Sequence, residues 1–130
     1  MPPPKSATRT PPSIVTTATI VSSRLTVQTP GRSFLDLTAE VTGFVRDAGA
    51  VEGTVTLFIR HTSASLTIQE NADPTVLVDL TTALDRLAPE HAGWSHDTEG
   101  PDDMPAHVKT MLTAISLHIP VLKGDRKSVV

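Results

Sequence analysis

The chain has no cysteine. That excludes disulfides, thiolate zinc sites and a thiol nucleophile, so any metal must be held by His, Asp or Glu. It also fits a reducing compartment, and a cytoplasmic location is the expectation. Positive charge is scarce as well: 11 Lys and Arg stand against 14 Asp and Glu, a net charge of −3. No broad electropositive surface is available to neutralise a nucleic-acid backbone or anionic lipid, so neither partner is expected. Long apolar runs are missing too. The stretch from Met1-Pro2-Pro3-Pro4-Lys5 to Pro11-Pro12 lacks the uninterrupted apolar run that a secretory signal or membrane span requires, so neither is expected. Phosphate loops of the P-loop type, H-E-x-x-H and G-x-S-x-G are all lacking.

At 130 residues with 38% hydrophobic side chains, the chain suits one modest core. Residues 1–13 read as a disordered proline-rich arm, since prolines at 2, 3, 4, 11 and 12 suit neither a helix nor a central strand. Residues 14–130 then form the single domain.

Ile14 to Gln28 is dense in β-branched residues, which predicts one long strand or two short ones. After Pro30-Gly31, the residues Leu37, Val41, Phe44, Val45 and Ala48 recur at helical spacing between an Asp36 cap and Gly49. That pattern predicts an amphipathic helix packed on a sheet. From Val51 to Arg60 the apolar and polar rows separate with period two, and His61 extends the inward row. Ala64, Leu66 and Ile68 lead similarly to Glu70, predicting a second strand.

Asp73-Pro74 reads as an N-cap and first helical position, followed by the stripe Val76, Leu77, Leu80, Leu84, Leu87 and a stop before Pro89. Residues 90–101 form a polar loop holding His91, Trp94, His96 and Asp97. A last helix begins near Asp102-Asp103 with Val108, Met111, Leu112 and Ile115 on one face, and Leu117 to Leu122 reads as a strand. The fold class is α+β with about three helices.

Ionisable residues concentrate between His61 and His107. An inward His61 at a strand end could bind metal or move a proton, or simply be hydrogen-bonded within the core. Asp103 stands one helical turn before His107, so its carboxylate can orient that imidazole; the plainer alternative is a capping Asp beside an incidental His. His96-Asp97 lies on the preceding loop and can fold back toward His107. His91 reads as solvated and His118 as a strand residue. Glu70, Asn71 and Asp73 cluster where free helix N–H groups suit an anion, although Asp73 has a simpler role as a cap. Ser63, near His61, is not on a strand-to-helix elbow. A straight run from Ala64 to Glu70 at ~3.3 Å per residue would carry Glu70 about 20 Å from His61. A subunit interface is the simpler way to bring those two groups, and the histidines, together.

The ordered set His61-Thr62-Ser63-Ala64, Glu70-Asn71-Ala72-Asp73-Pro74, Asp79, His96-Asp97 and Asp102-Asp103-Met104-Pro105-Ala106-His107 resembles the YjbQ-like secondary thiamine-phosphate synthase family. The similarity runs from about Ile14 to Gly124. It implies a β-sandwich-type sheet core, a homotrimer with sites near subunit interfaces, and an activity joining a pyrimidine methyl diphosphate to a thiazole phosphate with loss of pyrophosphate. It also implies site roles for His61, Glu70, Asn71, Asp73, His96, Asp103 and His107. Two departures stand out. Ser63 replaces the second threonine of the family's usual His-Thr-Thr, keeping a hydroxyl. Asp125 to Val130 replaces the Gly-Thr-Trp-Gln block and last strand, which would expose a sheet edge.

Three functional expectations follow. In the first, His61, His107 and Asp103 are catalytic in the alkyl transfer, with Mg²⁺ and the carboxylates neutralising the leaving pyrophosphate and Ser63, Glu70, Asn71 and Asp73 binding substrate. In the second, His61, His96 and His107 hold zinc or a similar ion that activates water against a small ester or phosphoester. In the third, the protein is a non-enzymatic trimer that binds a small phosphorylated ligand.

Overall fold

A computed structural model describes residues 11, 12, 14, 16, 18–70 and 72–122. Its elements run α1 (Thr38–Asp47), β1 (Gly53–Phe58), α2 (Pro74–Leu87), α3 (Asp103–Leu112) and β2 (Ser116–Val121). The α+β class with three helices is therefore as the sequence predicts. Among the described residues the sheet core is a single antiparallel β1–β2 pair rather than two facing sheets.

Register places Gly53, Val55 and Leu57 opposite Val121, Ile119 and Leu117, so the apolar members of both strands fall on one face. α1 covers that face. Val41, Val55 and Ile119 are its buried centre, ringed by Leu37, Phe44, Val45, Leu57, Leu117 and Val121. The other face carries Thr54, Thr56, Phe58, His118 and Pro120, all exposed.

Helix ends follow local chemistry. Asp36 Oδ1 accepts the Thr38 N–H at 2.9 Å, next to Leu37 at the N-cap position. At the other end, Gly49 takes φ +65° while Ala50 N–H reaches the Val45 carbonyl and Gly49 N–H the Arg46 carbonyl, a Schellman closure that needs a left-handed residue. α2 starts as predicted: Asp73 accepts from Thr75 N–H and Pro74 occupies the first turn. The Thr75 side-chain and backbone bonds hold the Asp73 carboxyl below its ordinary pKa.

Three expectations are corrected. Residues 18–28 form no strand and lie exposed, with Ile20 93% accessible. β-branched composition favours a strand only when a neighbouring strand supplies the ladder, and among the described residues none does. The segment from Ala64 to Glu70 is likewise not a strand; it makes one isolated bridge, Leu66 to Ala114. On α3 the expected stripe stays largely open, with Met111 86% exposed, because the described residues place no element over it. The helix is instead seated at its start by the fully buried Pro105. Pro105 falls in the first turn, where a missing N–H costs nothing. The proline-rich arm and the replaced C-terminal block lie almost entirely outside the described residues.

Candidate functional site

The loop after α2 returns to the start of α3. Trp94 fastens it by donating its indole N–H to the Pro89 carbonyl at 2.8 Å, and Arg32 bridges Glu90 and Asp85 at 3.1 and 3.3 Å. Asp85 also pairs with Lys109, tying α2 to α3. The Lys109 hydrogen bond lowers the Asp85 pKa, opposed by partial desolvation and aided by the charges of Lys109 and Arg32.

This scaffold brings His96 onto the first turns of α3. Its Nε2–H donates to Asp103 Oδ2 at 2.9 Å. His107, one turn further along, places Nε2 3.3 Å from the same oxygen. The two imidazoles stand edge to face with centroids 5.9 Å apart. One ligand atom from each of His96, Asp103 and His107 lies within 4.8 Å of the other two.

The other nitrogen of His107 fixes the electronics. Nδ1 lies 3.0 Å from the Thr62 carbonyl, which can only accept, so Nδ1 carries a hydrogen. A neutral ring then has a bare Nε2 lone pair facing a carboxylate oxygen. That contact is attractive only with a cation between the two atoms, whether a second proton or a metal ion. Two imidazole nitrogens and a carboxylate match the donors of zinc and related divalent ions; magnesium prefers oxygen. The residues present thus fit a transition-metal ion better than Mg²⁺.

The Thr62 carbonyl is itself held in place. Ile59 N–H bonds the Ile115 carbonyl at 2.8 Å, Leu66 and Ala114 exchange backbone bonds, and the Ser65 and Thr113 hydroxyls are paired. The strand exit is therefore stitched to the end of α3.

His61 does not join this cluster. It is exposed rather than inward, and its Nδ1 accepts the Ser63 N–H at 3.0 Å with the Ser63 hydroxyl 3.1 Å away. Within one chain, then, His61 does not stand with His96 and His107; Asp103 does. His96, Asp103 and His107 meet within one chain. Ser63 is half-buried beside His61, Glu70 is exposed, and Asp73 caps α2. Asn71 lies outside the described residues. Sequence reasoning missed the Thr62 carbonyl, since a backbone acceptor leaves no signature in residue type, and the Asp85–Lys109 pair, 24 residues apart. His118 is a strand residue as expected; it is exposed and lies 3.0 Å from Thr56 Oγ1. No helix among the described residues is long and apolar enough to cross a membrane.

Comparison with known proteins gives a consistent picture. The family described as UPF0047 protein YjbQ-like matches residues 23–128. UPF0047 protein sll1880 of Synechocystis is 46% identical over 101 residues, covering 77% of this chain and 69% of the relative. UPF0047 protein YjbQ of Escherichia coli O157:H7 is 42% identical over 77% of this chain and 73% of its own. Among solved structures, the conserved hypothetical protein TT1486 of Thermus thermophilus superposes with a TM-score of 0.67 at 39% identity, covering 75% of this chain and 74% of that one. This chain belongs to the UPF0047 protein YjbQ-like family.

Proposed function

We propose that the protein is a thiamine-phosphate synthase-like transferase working at the His96–Asp103–His107 corner. The family resemblance supplies the reaction. The observation that carries its location is the convergence of two imidazole nitrogens and one carboxylate oxygen within 4.8 Å. In the transfer, the bond between the pyrimidine methylene carbon and the diphosphate oxygen breaks, and pyrophosphate leaves with the electron pair. The thiazole ring nitrogen donates its lone pair to form the new C–N bond. A divalent cation at the corner would supply Lewis-acid stabilisation of the charge growing on the leaving group. His96, Asp103 and His107 would hold that cation, and the Thr62 carbonyl, by accepting from Nδ1–H, directs the Nε2 of a neutral His107 toward it.

Purified protein given both phosphorylated precursors and a divalent ion forms thiamine phosphate on this account. The absence of product above a His107→Ala control would refute it.

The donor set favours one second reading. Two imidazoles and a carboxylate suit a zinc-type ion that activates water, and hydrolysis of a small phosphoester would use the same corner. Elemental analysis of protein purified without added metal, followed by assay on p-nitrophenyl phosphate, separates the two: stoichiometric zinc with turnover favours hydrolysis, and no turnover eliminates it. A homotrimer remains part of the proposal for the whole molecule, checked by sedimentation.

A further inference from the structure

The three donors of the corner are not held alike. Asp103 and His107 stand one turn apart on α3, so the helix itself fixes their spacing. His96 arrives from a loop, and its 2.9 Å contact with Asp103 depends on how that loop is aimed. The bond from Trp94 to Pro89 spans five residues and shapes the loop without tying it to another element. Ala88, 2% exposed, anchors the chain where α2 ends. Beyond Ala88, the loop is aimed by a residue far away in sequence. One guanidinium nitrogen of Arg32, Nη1, lies 3.1 Å from Glu90 Oε1 and 3.3 Å from Asp85 Oδ1. The same Asp85 oxygen accepts from Lys109 Nζ, two residues past His107 on α3. Glu90, Arg32, Asp85 and Lys109 thus form a row of alternating charge running from the loop that carries His96 to the helix that carries Asp103 and His107. Its two ends, Glu90 and Lys109, are mostly covered, so the row escapes part of the screening that makes isolated surface pairs weak.

We infer that Arg32 is a positioning residue of the corner: by bridging Glu90 and Asp85, it sets where His96 meets Asp103. It bonds to none of the three donors and acts on His96 through Glu90. Without its charge, the pair Asp103 and His107 stays assembled on α3 while His96 swings away, and a three-donor corner becomes a two-donor one. The inference rests on the proposed function in taking His96 for a cation ligand; the contact between His96 and α3 that it explains does not. Because both carboxylates meet a single nitrogen, a point charge suffices, so lysine can replace Arg32 and glutamine cannot.

The His96 and His107 rings, with centroids 5.9 Å apart, should give a nuclear Overhauser peak between their C–H protons in metal-free protein. Arg32→Gln is expected to weaken that peak severalfold and to lower Zn²⁺ affinity in calorimetry by about three- to tenfold, and Arg32→Lys to restore both. Glu90→Gln should match Arg32→Gln, and combining the two should do no further harm, because both break one link. Arg24→Gln, which removes the same charge from another exposed residue, should change neither reading. In about 1 M salt, where the Debye length is ~3 Å, the gap between Arg32→Gln and the unaltered protein should shrink. Full ring contact and full affinity in Arg32→Gln overturn the inference; so does a defect that Arg32→Lys fails to repair or that Glu90→Gln does not share. No precursor enters these measurements, so failure to make thiamine phosphate leaves them unmoved. If Zn²⁺ does not bind at all, the metal-free ring contact still decides the role of Arg32.

Discussion

His61 and His107 look alike in the sequence, each with a hydroxyl or carboxylate within four residues, yet the structure treats them oppositely. His61 satisfies one nitrogen two residues away, on Ser63, and turns to solvent. His107 is held by a backbone carbonyl 45 residues earlier and by a carboxylate one turn back that also binds the loop residue His96. Local partners fix a side chain without giving it a task. Partners drawn from several elements fix the tautomer and the direction of the lone pair, which is what a ligand position requires.

Substitutions sharpen this contrast. The largest effect is expected for Asp103→Ala or His107→Ala, each lowering Zn²⁺ affinity in calorimetry by more than about 100-fold, beyond the 10–100-fold typical of supporting residues. Thr113→Val comes next. It removes the hydroxyl partner of Ser65, loosening the segment that carries the Thr62 carbonyl, and affinity should fall by about tenfold. His61→Ala should leave affinity unchanged, and a loss comparable to that of His107→Ala would erase the distinction between the two corners.

A smaller effect concerns the scaffold. The folded pKa of Asp85 is depressed, so its contribution to stability is present above the unfolded carboxylate value of ~3.9 and is lost as pH falls through the folded value. Asp85 is partly exposed, and screening holds that contribution below about 1 kcal/mol. Urea unfolding of Lys109→Met between pH 7 and pH 3 should show a shallower acid-side decline than the unaltered protein. An identical decline would mean that the pair does not brace α2 against α3.

Much of this was legible in the residues. Asp73-Pro74 announced α2, while the period-two rows around Val55 and the apolar residues Leu117, Ile119 and Val121 announced the paired strands, because both signals are local. The i, i+4 spacing of Asp103 and His107 points to two members of the cluster, and the loop position of His96 allows the fold-back that the structure has. The strand expected over residues 14–28 is not realised in the described part of that span because β-propensity has no effect without a partner, and no window of sequence shows whether one is present. The inward His61 failed for a related reason. Period two persists only while the strand does, and β1 ends at Phe58, three residues short.

The central claim is that one chain builds a cation-holding corner from His96, Asp103 and His107 while His61 stands apart. Long-range ¹H–¹⁵N spectra of the histidine rings during a Zn²⁺ titration test it most directly. The account predicts that the nitrogens of His96 and His107 shift together, saturating at one equivalent, with His107 keeping its Nδ1–H and His61 unmoved. A titration in which His61 shifts with His107, or in which neither His96 nor His107 responds, would contradict it.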